Sequence, residues 1–224
     1  MSEIIKLENV IRVTRNSLQA VNGVSLCVRE RERVMVCGGF GSGKSELMYL
    51  IAGMDRPNSG TVFVLNQAVH EMGRGEAAHF RNRHIGIVQP GPGFMEGLSV
   101  AENISLPLIV RGVRPDRRRA AVEDLMETLK IRHVAHAHPA QLSTYEARLA
   151  CIARALITKP RILILNEITA FLSEREAKKI IGTIGEIPQS DDYTMLCFAD
   201  ETSAALQMSR TIQLKNGKIY EDSI

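Results

Sequence analysis

The stretch that most constrains this chain is Gly38-Gly39-Phe40-Gly41-Ser42-Gly43-Lys44-Ser45. It follows the apolar run Val34-Met35-Val36-Cys37 and leads into Leu47-Met48-Tyr49-Leu50-Ile51-Ala52. That order predicts a short buried strand, a glycine-rich turn and a helix start, and the turn matches G-x-x-x-x-G-K-[ST]. Glycines let successive backbone N–H groups curl around phosphate oxygens, and a helix N-terminus adds its positive dipole end. In such a loop Lys44 reaches the outer phosphates and the Ser45 hydroxyl ligates Mg²⁺. Phe40 and Glu46 sit on its edges. A chance Gly-Lys-Ser in an ordinary turn has no reason to lie between a strand and a helix. The loop therefore predicts a nucleoside triphosphate site.

At 224 residues, 45% of them hydrophobic, the chain suits one large domain or one domain with an inserted subdomain. A net charge of +3, with acids and bases interspersed, leaves no nucleic-acid footprint. Cys27, Cys37, Cys151 and Cys197 are widely spaced in apolar runs and read as buried free thiols in a reducing compartment. The start, Met1-Ser2-Glu3-Ile4-Ile5-Lys6, lacks a signal-peptide layout, and no run approaches the roughly 18 apolar residues of a membrane span. A cytoplasmic protein is expected, with any membrane role supplied by a partner.

Along the chain, residues 3–36 read as strands around a charged turn, Arg29-Glu30-Arg31-Glu32-Arg33. Another strand is expected at 61–66, a polar helix at 71–83 and a short buried strand at 85–88. The prolines and glycines of Gln89-Pro90-Gly91-Pro92-Gly93-Phe94 forbid regular structure. Residues 99–157 read as mainly helical: Ser99 can cap with Glu102, Pro115 suits a first helical turn, and 120–129 is amphipathic. Arg117-Arg118-Arg119 at that helix start is a solvated face rather than an anion contact. Continuous apolar strands follow at 161–166 and 194–199, as in parallel sheets. Asn216-Gly217 closes a C-terminal hairpin.

Over almost its whole length the chain resembles the ATP-binding subunit of an ABC transporter, most of all the branch of lipoprotein-release, macrolide-export and cell-division ATPases. The residues that carry the likeness are Val24-Ser25-Leu26, Ile51-Ala52-Gly53, Asn58-Ser59-Gly60, Ile85-Gly86, Glu102-Asn103, Leu106-Pro107-Leu108, Leu142-Ser143, Ile152-Ala153-Arg154-Ala155-Leu156 and Asn216-Gly217-Lys218-Ile219. The resemblance implies an α/β P-loop NTPase fold: a RecA-like core with an antiparallel β subdomain and an α-helical subdomain inserted at about 93–158 of a single ABC-type domain, 1–224. It also implies that two subunits sandwich ATP and Mg²⁺, each signature loop facing the partner's glycine loop. The partners it implies are a second ABC ATPase subunit, in a homodimer or heterodimer, and a membrane permease that would hold the chain at the inner face of the membrane.

Departures from the family pattern fall on its functional positions. Thr14 stands where an aromatic usually stacks on adenine. In the family's Ile-Gly-x-x-x-Gln segment Pro90 takes the Gln position, and Gln89, one residue early, reaches Mg²⁺ or the attacking water only if the loop bends. The signature Leu-Ser-Gly-Gly-Gln reads Leu142-Ser143-Thr144-Tyr145-Glu146: Ser143 can still cap its helix toward phosphate, whereas Tyr145 adds bulk and Glu146 negative charge. Asp-Glu-Pro-Thr reads Asn166-Glu167-Ile168-Thr169, and Asn166 cannot neutralise a cation, which weakens metal retention. Glu167 keeps the position that orients or deprotonates water. Ser173 removes an interface carboxylate, and the Thr-His-Asp switch reads Phe198-Ala199-Asp200, without its imidazole. His133, His136 and His138 form a spaced trio with no nearby Cys and read as surface residues.

The resemblance leaves two readings open. One is a functional transport ATPase that hydrolyses ATP to drive export or lipoprotein and peptide handling; the glycine loop and Glu167 favour it. The other is an ATP-binding subunit with weak or absent hydrolysis that couples nucleotide state to a permease. It accounts for more of the departures. A small-molecule P-loop kinase, the reading from another class, has no use for the segments at 142–146 and 152–156.

Overall fold

The structure is a computed structural model that describes residues 2–14, 18–186, 193–200 and 208–223. In chain order its strands are β1 (Glu3–Val13), β2 (Gln19–Arg29), β3 (Arg33–Cys37), β4 (Ser59–Val64), β5 (Gln67–Ala68), β6 (Ile85–Val88), β7 (Ile162–Asn166), β8 (Thr194–Ala199), β9 (Arg210–Lys215) and β10 (Lys218–Ser223). The helices are α1 (Lys44–Ile51), α2 (Arg74–His84), α3 (Val100–Val110), α4 (Pro115–Thr128), α5 (Thr144–Leu156) and α6 (Glu174–Glu186). The chain forms two compact units, Met1–Arg81 with Asp192–Ile224, and Asn82–Asp191.

In the first unit β2, β1, β4 and β5 make an antiparallel sheet in that order. Alternation along β1 buries Ile5 and Leu7 and leaves Lys6 and Glu8 outside, paired at 2.7 Å. Leu7 lies opposite Leu26 of β2 on one side and Val62 of β4 on the other, so the apolar face is continuous across three strands. β3 lies between β8 and β9, parallel to both, with Cys37 opposite Ala199 and Gln213. Strands buried on both faces have no polar side to alternate, which is why Val34-Met35-Val36 and the whole of β8 are inside. The turn between β9 and β10 is Asn216-Gly217, both left-handed (φ 51° and 74°), the conformation a two-residue hairpin turn requires. Arg210 bonds Asp222 of β10 at 2.6 Å and Glu32 at 3.1 Å, tying the hairpin to the charged turn before β3.

The second unit places β6 beside β7 in parallel, Ile85 opposite Ile162. Ser99 and Glu102 form a capping box at the start of α3, and Pro115 sits in the first turn of α4. Asn103 is fully buried; its amide donates to Met95 O, Leu98 O and Ser99 O and accepts from Met95 N, fastening the loop before α3 to the helix. Leu149, Ile152, Ala153 and Leu156 form the inner face of α5. β6 approaches that helix closely, since a Cβ on Gly86 would lie 2.4 Å from Ala155 O. Among the described residues no helix is long and apolar enough to cross a membrane.

Candidate functional site

In the first unit the glycine loop joins β3 to α1. α1 begins at Lys44 with Gly43 as its N-cap (φ 99°) and no side-chain cap bond, so its first amides are free of any competing side chain. A glycine-walled helix N-terminus with unclaimed amides suits phosphate oxygens. The loop closes on itself through Ser42 N to Gly39 O (3.1 Å) and is fastened to the β9–β10 turn by Gly217 N to Ser42 O (3.0 Å). Ser42 Oγ is buried without a hydrogen-bond partner among the described residues. Lys44 is a buried cation: its Nζ donates to Gly38 O, to Gly39 O (3.3 Å) and to the Asp200 carboxylate (3.0 Å). Ser45 and Phe40 are exposed, and Phe40 projects wholly into solvent. Thr14 ends β1's hairpin with its N–H on Leu18 O at 2.9 Å. Ala199, at the end of β8, is buried and offers only a methyl group.

In the second unit β7 ends at buried Asn166, and Glu167 follows in a left-handed conformation (φ 46°) that opens a turn, Ala170 N bonding Glu167 O at 2.9 Å. Arg148 of α5, only 4% exposed, donates to Gln89 O at 2.7 Å and to Ala170 O at 3.0 Å. One guanidinium thus joins the segment carrying Gln89 to the turn carrying Glu167. Its Nε is buried without a partner among the described residues, and burial pushes the guanidinium pKa down. Arg154 continues the clamp six residues further along α5, bonding Pro92 O and, at 2.9 Å, Gly93 O while lying over the Phe94 ring.

The segment 142–146 is a helix start. Ser143 Oγ accepts from Glu146 N at 3.2 Å, and Glu146 accepts from Ser143 N at 2.9 Å and Ser143 Oγ at 2.6 Å. His133 Nε2 lies 2.9 Å from the other Glu146 oxygen. The charge that Glu146 adds is therefore turned back on its own helix end. Lys179 of α6 sits over the Tyr145 ring, 5.8 Å from its centroid. The Ser143 hydroxyl, then its N–H, then His133 hold the Glu146 carboxyl below the ordinary carboxylate range. A depressed folded-state value gives stability that is present above the unfolded pKa and lost as pH falls through the folded one. Ser143→Ala is expected to cost about 1 kcal/mol and to flatten the loss of stability as pH falls below the ordinary glutamate value of 4.5, measured by urea melts. An unchanged slope would show that the cap does not titrate with Glu146.

Ser173, met in the sequence as a lost carboxylate, caps α6 in the same way. It accepts from Glu176 N at 3.4 Å, and Glu176 accepts from Ser173 N at 2.9 Å. Its signal, Ser-x-x-Glu, was in the sequence at 173–176. The roles of Arg148 and Asp200 had no such local signal.

A parallel-stranded sheet that carries a glycine loop into a helix N-terminus, with a buried lysine inside the loop, defines a P-loop nucleotide-binding protein. The chain belongs to the ABC transporter family, whose sequence model matches residues 21–170, and is an ATP-binding domain of that family. It is 30% identical over 223 residues to the lipoprotein-releasing system ATP-binding protein LolD of Chromohalobacter salexigens, covering 98% of this chain and 94% of that protein. The LolD of Hydrogenovibrio crunogenus is 31% identical over 97% of this chain and 96% of its own length. Among solved structures, the ATP-binding cassette MJ0796, a dimer bound to ADP and Pi in a post-hydrolysis state, matches with a TM-score of 0.89 and 26% identity, covering 98% of this chain and 97% of that one. These likenesses place the chain in the lipoprotein-release branch and its fold among P-loop NTPases of the ABC type.

Proposed function

We propose that this ATP-binding subunit holds Mg-ATP on its glycine loop with weak or absent hydrolysis of its own and couples nucleotide state to a membrane permease. The observation that carries the reading is the contrast between an intact loop and altered catalytic positions. The loop keeps a glycine N-cap, open helix amides and a buried lysine, while a neutral amide stands at 166 and a methyl group at 199. Phosphoryl transfer is mostly positioning and electrostatics, so parts that bind phosphate can survive the loss of parts that stabilise the transition state.

In this reading Gly38 to Glu46 cradle the phosphates, Ser45 and Asn166 hold Mg²⁺ by oxygen atoms, and Glu167 orients water. When bound, the cation neutralises charge on the phosphates. Asn166 contributes a dipole where a carboxylate would contribute a charge, so the cation is held less firmly. The chain acts as one ABC-type domain, 1–224, whose helical part is about 93–158. It works in a homodimer or heterodimer with a second ABC ATPase subunit and is peripheral at the inner face of the membrane through its permease. MJ0796 being a dimer, and the LolD relatives belonging to lipoprotein-releasing systems, support that arrangement.

The second reading, a transport ATPase that itself turns over ATP, is favoured by Glu167 and by the same LolD relatives. Equilibrium binding of ATP to the purified chain, set beside phosphate release at saturating Mg-ATP, separates the two. Saturable binding with turnover at least about 10²-fold below that of a LolD assayed alongside is the expected result. Comparable turnover would establish the second reading instead.

A further inference from the structure

The parallel register that sets Cys37 opposite Ala199 brings Asp200, the residue that follows β8, to the start of the glycine loop. There it meets Lys44. An ammonium group has three N–H donors. In Lys44 they face three acceptors: the Gly38 carbonyl, the Gly39 carbonyl at 3.3 Å and Asp200 Oδ1 at 3.0 Å. The first two are neutral and belong to the loop itself. Asp200 brings a full negative charge on a side chain that is 57% exposed, whereas that of Lys44 is 8% exposed. A phosphate group taken up by the loop must win hydrogen bonds from this saturated lysine. The carboxylate is the acceptor nearest to it in chemistry, an anionic oxygen on a solvent-facing side chain.

We infer that Asp200 sets the affinity of the nucleotide site by competing with nucleotide phosphate for Lys44. The inference rests on the reading that the glycine loop binds ATP. A carboxylate beside the lysine opposes an incoming polyphosphate twice over. It occupies a donor that the phosphate needs, and once displaced it still repels the negative charge that displaced it. That second effect grows with phosphate charge, so Asp200 discriminates against ATP more than against ADP. Because one partner is half-exposed, solvent and salt reduce the effect.

The test uses the full chain and two probes, ATP and ADP, in equilibrium binding with and without Mg²⁺. Asp200→Asn keeps the shape of the side chain and removes its charge. It is expected to bind ATP about 5-fold to 10-fold more tightly than the wild type, to gain less for ADP, and to lose most of the gain in about 0.5 M salt. An equal or weaker affinity for ATP, with the wild type binding normally, would overturn the assignment. If the weakening occurs only with Mg²⁺ present, Asp200 is a cation ligand and the competition is likewise refuted. Failure of both wild type and variant to bind either nucleotide would instead overturn the ATP-binding reading and this inference together.

Discussion

Restoring Asp at 166 and His at 199 in one chain, Asn166→Asp with Ala199→His, is expected to raise ATP turnover by about 10²-fold or more over the wild type. The first change puts a full negative charge at the buried end of β7, where the amide of Asn166 now gives only a dipole to a cation. The second puts an imidazole donor at the end of β8, where the Ala199 side chain is a methyl group 3% exposed. Removing one preorganised donor from developing charge costs on the order of 10²–10³ in rate. Residues that act as a unit are not additive, so each single change is expected to recover little and the pair most of the gain. Glu167→Gln in the doubly restored chain is expected to abolish the gain, which ties it to water activation rather than to a contaminating ATPase. His is bulkier than Ala, and position 199 is tightly enclosed; a melting curve for each variant separates lost packing from absent chemistry. A doubly changed chain that folds, binds ATP and turns over no faster would show that the limits lie elsewhere. The segment Gln89-Pro90 and the helix start at Ser143 would be the next places to look.

The parts that were legible in the sequence are those whose physics is local. Ser99 and Glu102 are three residues apart and close a capping box; Asn216-Gly217 adopts the paired left-handed angles that its composition demands; Gly43 is the N-cap of α1 between a buried strand and a helix. Resemblance located the same elements and added the fold. It also coloured the reading of individual residues. Glu146 and Ser173, read by family position, were an unwelcome charge and a missing carboxylate. Read by local energetics, each belongs to a Ser-x-x-Glu box that satisfies the free amides of its helix. Contacts between residues far apart in the chain had no such signal. Lys44 and Asp200 are 156 positions apart, and Arg148 reaches back 59 positions to Gln89 and forward 22 to Ala170. Nothing in a run of residues announces that a guanidinium on α5 will meet two separate main-chain carbonyls, because only the packed unit sets those distances.

Gly43→Ala is expected to destabilise the fold by on the order of 3 kcal/mol or more and to weaken ATP binding at least about tenfold, whereas Gly41→Ala should cost about 1 kcal/mol. Both glycines are left-handed, at φ 99° and 75°, so an alanine at either position carries backbone strain. Their surroundings differ. A Cβ at 41 would meet nothing within 4 Å, while one at 43 would lie 2.0 Å from the Ala20 carbonyl oxygen and 3.4 Å from the Gly217 Cα. Neither neighbour is free to retreat. Ala20 is a buried residue of β2, and the hairpin turn is held by Asn22 N to Gly217 O at 2.8 Å and by Gly217 N to Ser42 O at 3.0 Å. The overlap is therefore relieved only by moving the loop itself, and the first amides of α1 move with it. That couples stability to ligand affinity at 43 and leaves them uncoupled at 41. Denaturant midpoints and ATP titrations on the two variants read both quantities. Similar small losses for both would mean that the glycine loop is not seated against β2 and the β9–β10 turn, and that its shape is set by glycine conformation alone.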